Sequence, residues 1–314
     1  MKYVTLKNGD RIPALGLGTW RADKGVVTRA VAKAVEIGYR HVDCAHCYGN
    51  ETEIGEAFQR LAIPREQLWV TSKLWNNAQN PDSVRPALEH TLANLRLDHL
   101  DLYLIHWPVQ LRKGVMYPQG PDDLIPWTTE HMLELWGALE ECVRQGLVRN
   151  IGTSNFSTKK LQVILDNCAI APAMSQVEIH PCQQQKVMFD FCRENGLGLT
   201  GFCPLGSSSR PAHQQKRDEP CPLTEPVVLD IAERYGVTPG KILLAWALTR
   251  GTIAIPKSTS ETHLRENLEA ADLTLNVEDM QAMASLDRGY RFIDGSHWMM
   301  AGSPYSMENL WDEE

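Results

Sequence analysis

Eight short apolar runs alternate with segments of helical spacing along this chain, and the alternation leaves few folds open. The runs are Leu15–Leu17, Tyr39–Asp43, Leu68–Lys73, Leu100–Ile105, Val148–Thr153, Ala173–Glu178, Leu197–Phe202 and Thr252–Ile255. Between them apolar residues recur at helical intervals, as in Val26-Val27-Ala30-Val31-Ala34-Val35, Val84-Leu88-Leu92-Leu95 and Leu133-Trp136-Leu139-Glu140-Val143. Gly38, Gly146, Gly196 and Gly236 stand where several of these segments stop. Strand-helix alternation predicts an α/β chain with a parallel sheet. Eight units fit a closed (β/α)8 TIM barrel, which typically takes about 250 residues. A doubly wound dinucleotide fold would carry G-x-G-x-x-G after its first strand. Here Gly16-Leu17-Gly18-Thr19-Trp20 is followed by Arg21, so that pattern is broken.

Before the first run, Asn8-Gly9 separates two short alternating stretches, a strong hairpin signal. Such a hairpin is expected to cap the bottom of the barrel. No internal repeat or linker interrupts residues 1–314, which read as a single barrel domain. Three connections are long: Trp107–Thr128, Pro204–Thr224 and Asp287–Glu314. The first and third carry many large side chains, among them Trp107, Tyr117, Trp127, Phe292, Trp298, Tyr305 and Trp311. Disordered segments are poor in such residues, so these two are expected to form ordered walls at the C-terminal face. The second, rich in Ser, Gln, Lys and Pro, reads as a mobile segment able to close over something bound.

In such a barrel the C-terminal strand ends converge on one face, where chemistry is done. Asp43, Lys73 and His106 each stand where an apolar run stops, and Tyr48 follows five residues after Asp43. At one mouth these four make a proton-donating site. Lys73 can lower the pKa of Tyr48, Asp43 can hold Lys73, and His106 can orient a carbonyl oxygen.

The net charge of −8, with no basic stripe, argues against a nucleic-acid partner. The first residues lack the apolar stretch of a signal peptide, and no window suits a transmembrane helix. A cytoplasmic location with reduced thiols is therefore expected for the eight cysteines. Cys44 and Cys47 form a C-x-x-C beside His41 and His46, but no second ligand pair follows at zinc spacing. No metal is expected, and the cysteines read as structural.

Asp43-Cys44-Ala45-His46-Cys47-Tyr48-Gly49-Asn50-Glu51 resembles the first signature of the aldo-keto reductases. The resemblance continues through Thr71-Ser72-Lys73-Leu74-Trp75, Leu100-Asp101-Leu102-Tyr103-Leu104-Ile105-His106-Trp107-Pro108 and Gly152-Thr153-Ser154-Asn155-Phe156. It extends to Gln176-Val177-Glu178-Ile179-His180-Pro181 and Ile255-Pro256-Lys257-Ser258, so order and spacing fit over nearly the whole chain. The family implies reduction of aldehydes and ketones by hydride transfer from NADP(H). Tyr48 would be the general acid, Lys73 and Asp43 its support, and His106 the orienting donor. The cofactor would lie extended across the mouth. Gly18, Thr19, Trp20, Arg21 and Asp43 would border it, and Ser154, Asn155 and Gln176 would meet the nicotinamide amide. Phe202 would stack on the ring, where many members have Tyr. Pro204, Leu205 and Ser207 would follow the pyrophosphate, with Lys257, Ser258 and Thr259 at the adenosine 2′-phosphate.

Many members place an Arg six residues after that Lys; here the position is His263. Arg265 should face away, while His263 and Asn267, four apart, should both point at the adenosine. His263 carries charge only when protonated, so NADPH preference should be weakened and should fade between about pH 6 and 8. Trp20, Tyr48, Trp75, His106, Trp107 and Trp298 would line the substrate pocket of a monomeric enzyme. Two other readings stay open on the residues. One is an NADP-binding regulatory or redox-sensing protein with little turnover; the other is a barrel hydrolase or aldolase using Lys73 as a Schiff base.

Overall fold

In the computed structural model, which describes residues 2–23, 25–208, 210–211 and 214–312, each apolar run is a strand within one or two residues of its expected bounds. The chain opens on a hairpin of β1 (Tyr3–Thr5) and β2 (Arg11–Pro13), paired antiparallel around Asn8-Gly9. The barrel strands are β3 (Leu17–Gly18), β4 (His41–Asp43), β5 (Trp69–Leu74) and β6 (Leu100–Ile105). A small hairpin of β7 (Gln110–Leu111) and β8 (Leu124–Ile125) intervenes. Then come β9 (Val148–Ser154), β10 (Met174–Glu178), β11 (Gly198–Phe202) and β12 (Ile253–Ala254). Their spatial order is β12-β11-β10-β9-β6-β5-β4-β3, every pair parallel.

The sheet closes on itself. Leu15 bridges Ala254 and Gly18 bridges Lys257, both parallel. Gly18 N–H donates to the Pro256 carbonyl at 3.0 Å. A Cβ on Gly18 would meet the Ile255 carbonyl oxygen at 2.7 Å, so close approach at this seam requires glycine there. The opening hairpin plugs the lower end: Leu6 and Ile12 are buried with Trp69, Leu102, Leu104, Met174 and Ile253.

Helices cover the outside, among them α1 (Val27–Ile37), α2 (Glu51–Phe58), α3 (Pro81–Leu95) and α4 (Thr129–Arg144). In α1 the buried face is Val27, Ala30, Val31, Ala34 and Val35, and Gly38 ends the helix, as the spacing predicts. In α4 the expected stripe is displaced by one residue. Met132, Leu135, Trp136, Leu139 and Cys142 are buried, while Leu133 and Val143 are only partly so. The Trp136 indole sets this roll, since its N–H donates to the Ile170 carbonyl at 3.0 Å.

Above the barrel the first and third long connections pack on each other. Trp75, Trp107, Val109, Leu111, Leu124, Trp298, Tyr305, Leu310 and Trp311 form a second apolar cluster. Tyr305 ties the two: its hydroxyl donates to the Ile125 carbonyl at 2.5 Å and accepts from the Gln110 N–H at 2.8 Å. The described part of the second connection is tied down at two points; Ser209, Ala212 and His213 lie outside the described residues, as do Glu313 and Glu314 of the third. Arg210 is buried, grips both Glu219 carboxylate oxygens at 2.6 Å and donates to the Phe292 carbonyl at 3.0 Å. Lys216 pairs with Asp294 at 2.7 Å. A polar surface composition concealed this clamp, because its key cation is inside.

Candidate active site

Alternation of side chains along β5 divides the labour at the barrel's upper end. Lys73 points inward. Its neighbour Ser72 points outward and donates to Glu51 at 2.7 Å, bracing β5 against α2. Asp43 closes β4 inside the barrel. Thr19, wholly buried, holds that strand end by donating its hydroxyl to the Asp43 carbonyl at 2.8 Å. Tyr48 comes from a single 3-10 turn, His46–Tyr48, stopped by Gly49 in the left-handed region. His106 follows β6 directly, and its backbone N–H donates to the Leu74 carbonyl at 3.2 Å.

The four predicted residues meet. Lys73 Nζ, 1% exposed, donates to Asp43 Oδ1 at 2.6 Å, to the Cys44 carbonyl at 2.9 Å and to Tyr48 Oη at 3.4 Å. Asp43 Oδ2 accepts from Gln176 Nε2 at 2.9 Å, across the barrel. A buried charge pair needs such surrounding donors and acceptors, since desolvation otherwise outweighs attraction. Tyr48 and His106 sit edge to face with ring centres 5.8 Å apart.

The electrostatics differ from the expectation at one point. The Tyr48 phenol is pushed well above its ordinary range, first by burial and then by the Asp43 carboxylate. The expected lowering by Lys73 is thus outweighed: removing water penalises a phenolate more than one ammonium at 3.4 Å favours it. Tyr48 is therefore held protonated, the form a proton donor requires. His106 is pushed well below the usual imidazole range by burial and by Lys73, so it is neutral. A neutral imidazole carries one N–H donor and one acceptor nitrogen.

Around this centre the residues expected at a cofactor fall into two groups. Asn155 follows β9 with φ +63° and donates through Nδ2 to the His106 carbonyl at 2.9 Å and to Ser154 Oγ at 3.2 Å. Its Oδ1 is buried without a partner. Beside Gln176 and Ser154, that orphaned acceptor suits the N–H of a carboxamide, so the residues present fit a nicotinamide ring. Phe202 ends β11 half-buried, a flat face available to stack. Ser207 is buried, and Leu205 packs against the core. Pro204 forms a bridge with Gly206. Trp20 is partly buried and Arg21 exposed, its guanidinium 6.0 Å from the Trp20 ring.

The second group is open. Lys257 and Thr259 are exposed after the seam, and Ser258 is buried, its Oγ accepting from Ser260 N–H at 3.2 Å. The helix Glu261–Glu269 starts there. His263 is exposed and Asn267, one turn on, is buried. Arg265 is held by Glu261 at 2.7 Å.

The aromatic residues expected at the mouth pack as follows. Trp75 meets His106 edge-on at 5.2 Å, and its indole N–H donates to the Met116 carbonyl at 2.8 Å. Trp107 is nearly buried, and Trp298 is wholly buried, 5.9 Å from Trp75 and 6.0 Å from Trp107. Trp298 thus packs against both rings of the wall. Two residues named in the sequence reading as wall and structural thiol make contacts at the mouth that spacing does not show. Exposed Tyr117 leans on Trp75 and donates to the Cys47 carbonyl at 3.1 Å. Cys47 Sγ lies 3.6 Å from His106 Nδ1. Of the C-x-x-C, Cys44 is wholly buried; both thiols are free. Among the described residues no cluster of three or more His, Cys, Asp or Glu is set to hold a metal ion.

A sequence profile described as "Aldo/keto reductase family" matches residues 14–295. The Aldo/keto reductase slr0942 of Synechocystis sp. is 51% identical over 100% of this chain and 97% of its own length. The human Aldo-keto reductase family 1 member A1 is 44% identical over 92% of this chain and 90% of its own. Among solved structures, the Aldose Reductase from Schistosoma japonicum superposes with a TM-score of 0.86 at 39% identity, covering 95% and 96% of the two chains.

Proposed function

Since this chain belongs to the aldo/keto reductase family, an oxidoreductase family acting on small carbonyl compounds, we propose that it reduces aldehydes and ketones to alcohols with NADPH, Tyr48 serving as general acid. One observation carries the reading: a protonated, buried Tyr48 whose oxygen meets a Lys73 ammonium that Asp43 holds in turn. Bound NADPH would supply the hydride to the carbonyl carbon. The residues of the chain do the rest. Tyr48 gives its proton to the carbonyl oxygen as negative charge develops there, and Lys73 donates to the phenolate oxygen left behind. Asp43 keeps Lys73 charged and in place. Neutral His106 donates a hydrogen bond to the same carbonyl oxygen and orients it. Asn155 Oδ1, Gln176, Ser154 and Phe202 would hold the nicotinamide, with Lys257, Ser258, Thr259, His263 and Asn267 at the adenosine end.

The aromatic mouth of Trp20, Trp75, Trp107 and Tyr117 suits a largely apolar or carbohydrate-like aldehyde. A monomer in the cytoplasm goes with this reading; among the described residues no helix is long and apolar enough to cross a membrane. The test is NADPH consumption against a panel of aldehydes, ketones and sugars. Turnover of a generic aldehyde is expected. Tight NADPH binding with no turnover of any member would instead favour a regulatory protein of this fold.

A further inference from the structure

Cys47 and Tyr48 are consecutive residues of one 3-10 turn, and both reach His106. The Cys47 thiol is 3.6 Å from His106 Nδ1, within reach for a sulfur donor. Among the described residues the other ring nitrogen, Nε2, has no protein hydrogen-bond partner, and the Trp75 edge closes the ring's remaining side at 5.2 Å. The backbone on either side is held: Asn155 fixes the His106 carbonyl at 2.9 Å, and Tyr117 donates to the Cys47 carbonyl at 3.1 Å. So the thiol cannot simply swing away with its turn.

We propose that Cys47 is a positioning residue that fixes the tautomer of His106, its S–H donating to Nδ1 so that Nε2 carries the proton and faces the carbonyl oxygen. A neutral imidazole has one N–H, and which nitrogen bears it is set by what the other nitrogen meets. A donor at Nδ1 makes Nδ1 the acceptor. The thiol is a fit donor because burial pushes its pKa up, keeping the proton on sulfur. Were Nδ1 protonated, its N–H would point at a poor sulfur acceptor, and Nε2 would present a lone pair to the carbonyl oxygen. Two oxygen and nitrogen lone pairs would then face each other where a donor is needed. The turn His46–Tyr48 therefore delivers the acid and sets the orienting donor together. The inference rests on the carbonyl-reduction reading for its catalytic consequence, though the tautomer itself is independent of it.

The test uses the full-length protein with oxidised NADP bound and its histidines labelled with 15N. His106 should show a pyridine-type Nδ1 and a pyrrole-type Nε2. Cys47→Val should mix the two tautomers, and Cys47→Ser, which keeps a donor in place, should restore the single one. With 4-nitrobenzaldehyde, Cys47→Val should lower kcat about three- to tenfold, the worth of one hydrogen bond, with NADPH affinity unchanged and activity recovered in Cys47→Ser. A protonated Nδ1 in the wild-type spectrum overturns the assignment outright, even if Cys47→Val fails to fold. An unchanged tautomer and rate in Cys47→Val overturn it as well. A wild type with the expected tautomer that reduces no aldehyde would uphold the assignment and sink the carbonyl-reduction reading instead.

Discussion

The two ends of the candidate cofactor track are built on opposite plans. At the chemical end Asp43, Lys73 and His106 are buried, and every charge is met by protein groups before any ligand arrives. At the adenosine end Lys257 and His263 are exposed, and among the described residues neither forms an ion pair. Preorganised buried dipoles act on a transition state without further rearrangement. Exposed cations act through a screened field and are ordered only by what they bind. Mutations at the first end should therefore be felt in rate, and at the second in affinity.

The sharpest way to break that contrast is Tyr48→Phe. NADPH binding should survive, while kcat on a good aldehyde falls by about 10²–10⁴, the usual worth of general acid catalysis. Retention of more than a third of wild-type kcat would remove Tyr48 from the role.

Burial of imidazoles in the barrel also has a cost in acid, which urea unfolding at several pH values can measure. His41 and His297 are pushed down to about 4 by burial, and His106 is lowered too. An unfolded imidazole titrates near 6.5, so between 6.5 and 4 the unfolded chain binds more protons than the folded one. Stability should be complete above about pH 6.5 and fall as the pH drops toward 4. For His41 alone, a fall from 6.5 to about 4 amounts to about 3 kcal/mol. An unfolding midpoint that stays flat from pH 7 to 4.5 would show that these rings are not held neutral.

Smaller effects are expected at the adenosine end. His263→Arg should tighten NADPH about tenfold at pH 8, one charge-assisted hydrogen bond, with little change for NADH. Titration of both cofactors by protein fluorescence decides it; no gain for NADPH would mean that His263 does not face the phosphate. Least of all should come from Glu261→Gln. It frees Arg265 from an exposed, solvent-screened pair, and NADPH affinity should shift less than about twofold. A large gain would place Arg265 at the phosphate after all.

Most of the barrel can be read from the sequence because buried parallel strands are nearly continuous apolar runs. Leu100–Ile105 matches its strand without adjustment. Asp43, Lys73 and His106 can be read for the same reason, each ending an apolar run at the barrel mouth, whereas Tyr48 stands in a separate turn. Three things resisted. The roll of α4 depends on where the Trp136 indole finds an acceptor, at Ile170, 34 residues on. The Arg210–Glu219 clamp depends on Phe292, far along the chain. The Tyr48 pKa depends on how much water the assembled site excludes, which no spacing encodes.

Closure at the seam has a temporal consequence. Leu15 and Gly18 lie near the start of the chain, and their partners Ala254 and Lys257 lie some 240 residues later. During synthesis the first barrel strand must wait with one edge unpaired until nearly the whole polypeptide has emerged. Contacts of such separation form late and slowly. Lys257 belongs to that last joint, so on the proposed reading the grip on the adenosine end would form only when the seam closes. On that reading a dinucleotide would add its binding energy only to finished molecules.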